Sequence, residues 1–275
     1  MTSLSSADAE RLQMAFLNCR DMEGTLSEQL NAYASAGRDI FPAYSEAVDR
    51  LVARINENGG GENAPRPGDP MPPFVLPDER GRLVSLDSLL AAGPVAVMFH
   101  RGHWCPYCRL NVHAVVEAQH RIKAQGGHVV AILPELQQFT TQFKVDSGAP
   151  FPVLTDIDNG YALSLNLAIW LDPEIQQLLS YLDLSSFHGN AGWMLPIPAT
   201  FVIGREGLVK ARFVDPDFRK RMAIDDLLAA LRDAGLFFEP APALMVRSAL
   251  LRASRTMKSL GPSFETRSLG ALLRV

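Results

Sequence analysis

Cysteine is scarce in this chain. Three cysteines in 275 residues, two of them adjacent in a C-x-x-C and the third at Cys19, cannot form the framework of a disulfide-stapled fold. Long apolar runs are lacking as well. The run around Leu89 to Phe99 is broken by Gly93 and Pro94 and falls short of the ~18 residues a membrane span needs, so no membrane segment is expected. The opening from Met1 to Arg11 has neither the basic start nor the apolar stretch of a secretory signal, which makes a cytoplasmic location the expectation. There is no excess of positive charge. With 26 Lys and Arg against 30 Asp and Glu, the formal net charge of -4 gives no global field to draw in nucleic acid or anionic lipid. What is present is a hydrophobic share of 47% with 14 Phe and 3 Trp, enough bulk for the interior of a globular protein.

The first sixty residues read as helices. Thr25-Leu-Ser-Glu28 is a capping box, in which a hydroxyl and a carboxylate satisfy amides that a helix start leaves unpaired. After Pro42, the residues Tyr44, Val48, Leu51, Val52 and Ile55 fall on one face of a helix that Asn58-Gly-Gly-Gly61 ends. That stripe must be covered by the rest of the chain or by a second copy, and it motivates a homodimer as one expectation. A Pro- and Gly-rich linker runs to Pro73. Beyond it, Val95 to Phe99, Val129 to Leu133 and Thr200 to Ile203 are short apolar runs rich in β-branched residues, the pattern of strands buried on both faces. A helix-length ladder of Leu110, Ala114, Ala118 and Ile122 joins the first two runs, which predicts a βαβ unit. Leu136, Phe139 and Phe143 mark another helix, and so do Ile175, Leu178, Leu179 and Leu182. A hairpin strand is expected over 208–213 and a closing helix over 224–234. The boundaries that follow are a helical amino-terminal extension over 1–63, a central domain over 64–238 and a tail over 239–275. From Ala241 onward the tail holds Arg247, Arg252, Arg255, Lys258, Arg267 and Arg274 against Glu265, and it reads as a solvated basic face with no assigned function.

Chemistry concentrates at the turn after the first buried strand. A thiol attacks as thiolate, and a free cysteine with a pKa of about 8.5 is mostly protonated at neutral pH. A helix start lowers that value, because unpaired amides and the positive end of the helix dipole favour the anion. Here the strand ends at Phe99, the turn His100-Arg-Gly-His-Trp104 follows, and Cys105-Pro-Tyr-Cys108 enters the helix with Pro106 at a position where its missing N–H costs little. Arg101 adds a positive charge nearby. Cysteines three apart at a helix start can cycle between dithiol and disulfide.

Trp104-Cys-Pro-Tyr-Cys108 after a buried strand resembles the thioredoxin and glutaredoxin active site. Over a longer stretch the chain resembles the peroxiredoxin-like branch of the AhpC/TSA family. The resemblance rests on Gly68-Asp-Pro-Met-Pro-Pro-Phe74, Leu86-Asp-Ser-Leu89, Phe99 through Cys108, Pro152-Val-Leu-Thr-Asp156, and Pro198-Ala-Thr-Phe-Val-Ile203 with Gly207. It implies an α/β chain of thioredoxin-like fold, a central mixed sheet flanked by helices, carrying the helical extension. It also implies a thiol-dependent antioxidant oxidoreductase that reduces hydroperoxides through the pair, with no cofactor. A thioredoxin- or glutaredoxin-type protein is the implied thiol reductant. The family pattern P-x-x-x-[TS]-x-x-C lays its peroxide-attacking cysteine on Cys108, its Thr on Cys105 and its Pro on Arg101. The family's later arginine, in R-x-x-F, is replaced by Pro198. Pro198-Ala-Thr-Phe201 instead resembles the cis-proline loop that thioredoxins set against their cysteine pair, a conformation an X-Pro bond reaches for about 0.5–1 kcal/mol.

The two templates assign the attack differently. Thioredoxin logic makes Cys105 the nucleophile and Cys108 the resolving sulfur, and peroxiredoxin logic reverses them. Burial raises a thiol pKa and Cys108 sits deeper in the helix, which points to Cys105. Arg212, Arg219 and Arg221 are candidates for the missing arginine, with a surface position expected for all three. Trp104 suits either a lid over the sulfur or a core position. Arg101 suits either catalytic support or a carboxylate partner. Cys19 is expected to be buried and inert. Reduction of protein disulfides without peroxidase activity is the first alternative function. A binding or redox-sensing role is the second, since His100, His103, Cys105, Cys108 and His113 could hold zinc or copper.

Overall fold

The structure, a computed structural model, describes residues 4–236. The basic tail expected over 239–275 lies outside the described residues. Helix α1 (Ser6–Asp21) starts under Ser5, whose hydroxyl accepts the Asp8 amide. Helix α2 (Leu26–Ile40) starts on the expected capping box, in which the Thr25 N–H donates to Glu28 Oε2 at 2.7 Å. Helix α3 (Pro42–Glu57) takes Pro42 in its first turn. A short hairpin of β1 (Val75–Pro77) and β2 (Leu83–Ser85) leads to α4 (Leu86–Ala92), then β3 (Val95–Phe99). Helices α5 (Pro106–Glu117) and α6 (Gln119–Ala124) occupy the expected single helix, divided at Ala118. There follow β4 (His128–Leu133), α7 (Gln137–Ser147), β5 (Val153–Thr155), α8 (Gly160–Ser164) and β6 (Ala168–Trp170). The chain continues through α9 (Pro173–Leu178), α10 (Leu184–His188), β7 (Met194–Pro196), β8 (Ala199–Ile203), β9 (Val209–Val214) and α11 (Ile224–Leu236).

The main sheet has the order β5-β4-β3-β8-β9. β3, β4 and β5 run parallel, and β8 and β9 are antiparallel to their neighbours, so the sheet is mixed. Every residue of β3 and β8 is buried, as their apolar sequences, interrupted only by Thr200, lead one to expect. Helix α7 packs on β5, and α11 packs on β8, β9 and β3. This is a thioredoxin-like fold with a helical amino-terminal region. Parallel pairing of Phe99 with Ile132 and antiparallel pairing of Phe99 with Ala199 bring the end of β3 and the start of β8 to one edge. The cysteine turn leaves the sheet there.

The apolar stripe of α3 finds its cover within the chain. Val48, Leu51 and Ile55 are buried, α3 packs against α9, and Arg50 and Arg54 pair with Glu174 and Asp172. The stripe is thereby used up in docking the extension, and the argument it offered for a second copy goes with it. Among the described residues no helix is long and apolar enough to cross a membrane.

Candidate active site

Strand β3 hands the chain to the turn through a bond from the His100 N–H to Ile132 O at 2.9 Å. Gly102 then adopts φ +152°, a backbone region that other residues rarely enter. A Cβ at Gly102 would run into the Trp104 indole and stand 2.7 Å from Glu135 Oε1. Glu135, fully buried just beyond β4, clamps the turn from below. Its Oε2 accepts the His103 N–H at 2.8 Å, and its Oε1 meets His103 Nδ1 at 2.7 Å. The His103 ring stacks on Phe139, which fixes its plane. Burial pushes the Glu135 carboxyl above its ordinary range, and the His103 contacts oppose the shift. Cys105 follows as the N-cap of α5, with Cys108 in the first turn.

Both sulfurs are reduced and enclosed, at 1% exposure for Cys105 and none for Cys108. Their environments differ. The Arg101 N–H and the Arg221 guanidinium both donate to Cys108 Sγ at 3.4 Å. Burial works to raise the Cys108 pKa, but the hydrogen bond from Cys105, the Arg221 charge and the His100 ring outweigh it and hold Cys108 well below the thiol range. Cys105 goes the other way. Burial and the neighbouring Cys108 sulfur push it well above, against the pull of Arg101 and Arg221. The two thiols titrate as a pair, Cys108 held down and Cys105 pushed up.

Arg101 has left the surface entirely. Its guanidinium lies 3.7 Å over the Phe218 ring and 5.1 Å from the Trp104 ring, and has no carboxylate in ion-pair distance among the described residues. Desolvation opposes its charge, and Tyr44, Cys105 and Cys108 sustain it. Of the three candidate arginines, Arg212 donates to Ala64 O, and Arg219 pairs with Asp49 and Asp217. All three are half-buried and not at the surface, and of the three it is Arg221 that reaches a cysteine sulfur. The short link from the turn after β9 into α11 brings it against the sulfur, 113 residues from Cys108 in sequence. Sequence reading gave no weight to Glu135 or Tyr44. A glutamate following a fully apolar strand was the available signal for Glu135.

Pro198 is buried directly before β8, on the sheet edge where the cysteine turn begins. The cis geometry implied by its resemblance is absent, since all peptide bonds among the described residues are trans. The chain enters β8 already extended, with the Ile197 N–H bonded to Leu167 O at 2.7 Å and Ala199 in register with Phe99. The histidines and cysteines of the turn do not converge on one point, and no group of three or more His, Cys, Asp or Glu among the described residues is disposed to hold a metal ion. Cys19 is buried, its thiol pushed up by desolvation.

A cavity of about 200 Å³ opens beside the pair. Its walls include Phe16, Tyr44, Arg101, Trp104 and Cys105, and Cys108 lies behind Cys105 outside the lining. Trp104 is half-buried and walls this space next to the sulfur.

A buried dithiol at a helix start, with guanidinium groups on the deeper sulfur and a thioredoxin-like sheet beneath, defines a thiol–disulfide oxidoreductase. The AhpC/TSA family matches residues 67–212, more than half of the chain, and the chain belongs to that family as a thiol-dependent oxidoreductase of the peroxiredoxin kind. It is 33% identical over 165 residues to a chloroplastic peroxiredoxin Q of Sedum lineare, covering 60% of this chain and 77% of that protein. Among crystal structures it is similar to the peroxidoxin BcpB of Mycobacterium tuberculosis at 21% identity, covering 62% of this chain and 97% of that one with a TM-score of 0.49. A thiol:disulfide interchange protein of Chlorobium tepidum is similar at 23% identity, with 62% and 97% covered and a TM-score of 0.40.

Proposed function

We propose that the protein reduces hydroperoxides through a Cys105–Cys108 dithiol/disulfide cycle in which Cys108 attacks and Cys105 resolves. The observation that carries this reading is the pair of donors, the Arg101 N–H and the Arg221 guanidinium, on Cys108 Sγ. They stabilise a thiolate that a buried sulfur could not otherwise keep. The Cys108 thiolate takes the distal peroxide oxygen, the O–O bond breaks, and the Cys105 proton passes to the departing oxygen. The Cys105 thiolate then displaces hydroxide from the Cys108 sulfenic acid as the disulfide forms, and the hydroxide takes a proton from solvent to leave as water. Arg101, Trp104 and Pro198 support the pair, Arg101 as a buried cation, Trp104 as a wall and Pro198 at the neighbouring strand start. A thioredoxin- or glutaredoxin-type protein in a reducing, cytoplasmic compartment is the proposed source of electrons. The proposed division at residues 63 and 238 leaves the whole cycle in the central domain.

Disulfide reduction with Cys105 attacking is a second reading, favoured by one observation: Cys105, and not Cys108, lines the cavity. Turnover of hydrogen peroxide by wild type, Cys105→Ser and Cys108→Ser separates the two. The peroxidase reading expects Cys108→Ser to be inert and Cys105→Ser to stop at a sulfenic acid on Cys108, detected by dimedone adduct mass. Peroxide consumption that survives Cys108→Ser, or insulin reduction without any peroxide turnover, would overturn it.

A further inference from the structure

The proposed cycle closes with a proton that has to travel. Hydroxide departs from the Cys108 sulfenic acid, yet Cys108 has no exposed surface. Hydroxide is a poor leaving group unless a proton meets it, so this step needs an acid beside the sulfur and a path from that acid to water. The donors already on Cys108 do not serve. The Arg101 backbone N–H and the Arg221 guanidinium keep their protons across the ordinary pH range, and Cys105 attacks as thiolate. His100 is 1% exposed, with both ring nitrogens enclosed and unpartnered among the described residues, so it has no hydrogen-bonded route to solvent.

Glu135 has both properties. Its side chain is fully enclosed, and its Oε1 lies against the cysteine turn at Gly102, one residue beyond the N–H that donates to Cys108. A Cβ at Gly102 would stand 2.7 Å from that oxygen, so the glycine is what lets it approach the turn. Burial raises the Glu135 pKa and the Cys108 charge adds to the rise, so the carboxyl holds a proton more readily than an exposed one. The same Oε1 meets His103 Nδ1 at 2.7 Å. An imidazole bonded through one nitrogen can release a proton there while taking another at its second nitrogen. The His103 side chain keeps 14% of its surface exposed and is a wall of a second cavity of about 50 Å³, together with Arg20, Arg109, His113, Asp146 and Ser147. A water needs roughly 10–15 Å³ of such space and about two to four polar partners, and this cavity offers both. Asp146 is exposed and Arg20 and His113 are half-buried, which opens it to bulk water.

Resting on the peroxidase cycle above, we propose that Glu135 and His103 form a proton relay that serves Cys108 through a cavity other than the one Cys105 lines. In the closing step Glu135 gives its proton to the hydroxide leaving the Cys108 sulfenic acid. The S–O bond breaks with its electron pair going to oxygen, the Cys105 thiolate pair forms the S–S bond, and water departs. His103 Nδ1 then re-protonates Glu135, and His103 Nε2 takes a proton from water in the second cavity. One proton enters for each disulfide formed, and one leaves by the same route when a thiol reductant reopens the disulfide and frees the Cys108 thiolate. The titratable and charged groups facing the relay are Cys108 of α5, His188 of α10, and Arg20, Arg109, His113 and Asp146 around the second cavity.

The test follows single-turnover oxidation of the full-length, pre-reduced protein by hydrogen peroxide. Cys108 sulfenic acid is read as its dimedone adduct and the Cys105–Cys108 disulfide by alkylation and intact mass, and the quantity compared is the ratio of the closing rate to the oxidation rate. Glu135→Gln keeps an amide oxygen for the His103 N–H but cannot pass a proton on. Its ratio is expected to fall about tenfold or more, with sulfenic acid accumulating, and the deficit to narrow as the pH is lowered and solvent protons take over. His103→Ala is expected to show the same deficit, and added imidazole to restore closure in proportion to its protonated fraction. Circular dichroism and a melting curve establish which variants are folded, and either one alone decides. A wild-type ratio in a folded variant overturns the relay and leaves the peroxidase cycle standing. A deficit equal at every pH and without imidazole rescue makes the pair a structural clamp and overturns the relay as well. If peroxide leaves Cys108 of the wild type unoxidised, the peroxidase reading falls and takes the relay with it.

Discussion

At Cys108 two opposing effects meet, and in the proposed cycle their balance sets the pH at which the site works. Enclosure disfavours an anion, while the Arg221 guanidinium, the Arg101 N–H and the Cys105 thiol favour it, and the second set prevails. Replacing Arg221 by Gln removes a positive charge from the sulfur, so the thiolate pKa must rise. The rising limb of the peroxide-oxidation rate against pH is expected to move to higher pH in Arg221→Gln. The loss should be about tenfold or more at neutral pH and shrink as the pH is raised. A uniform loss at every pH would assign Arg221 a purely structural role. At this scale the sequence revealed the cysteines because a C-x-x-C is contiguous. It did not distinguish Arg221 from Arg212 and Arg219, since only the folded chain decides which of three arginines within a ten-residue stretch meets a sulfur. Glu135 escaped for the same reason, its partner His103 lying across a βαβ crossover.

Among the elements, the strands were the most legible, because β3, β4 and β8 are apolar at nearly every position and buried on both faces. The two small two-stranded sheets, β1 with β2 and β6 with β7, were not. Their strands are three residues long, too short for either periodicity to register. The apolar spacing over 175–182 suggested one helix, but α9 ends at Leu178 and Asp183 caps a new start, its carboxylate accepting the Ser186 amide. That short α10 places His188 in the interior with Nε2 unpartnered. Burial, reinforced by His103 and Arg101, lowers its pKa from 6.5 to about 4. The folded state therefore resists a proton that the unfolded chain accepts. Its contribution is complete above pH 6.5 and is lost as the pH falls towards 4. Urea unfolding of wild type and His188→Gln at pH 7 and pH 5 is expected to show wild type losing about 2 kcal/mol more than the variant over that interval. Equal losses would mean that His188 titrates normally.

For the whole molecule, the question is what holds the helical extension on the domain. Two kinds of contact join α3 to the α9 region: the exposed ion pairs of Arg50 with Glu174 and Arg54 with Asp172, and the buried stripe containing Leu51. Ion pairs at the surface contribute about 0–1 kcal/mol each, whereas removing a buried leucine side chain costs about 2–5 kcal/mol. In denaturant unfolding, Leu51→Ala is expected to cost more than Arg50→Ala and Arg54→Ala combined, and the opposite order would make the docking electrostatic. The sequence told that the stripe needed cover but not by what, since an apolar face is blind to whether its partner lies in the same chain. The enclosed Arg101 carries a last consequence. With no carboxylate beside it, its counter-charge is the sulfur pair. Oxidation removes the thiolate and leaves the Arg101 and Arg221 guanidiniums facing a neutral disulfide. The dithiol is thus the electrostatically relaxed form, which sets the couple towards the oxidising end of the reduction-potential scale and makes reduction of its disulfide thermodynamically favourable.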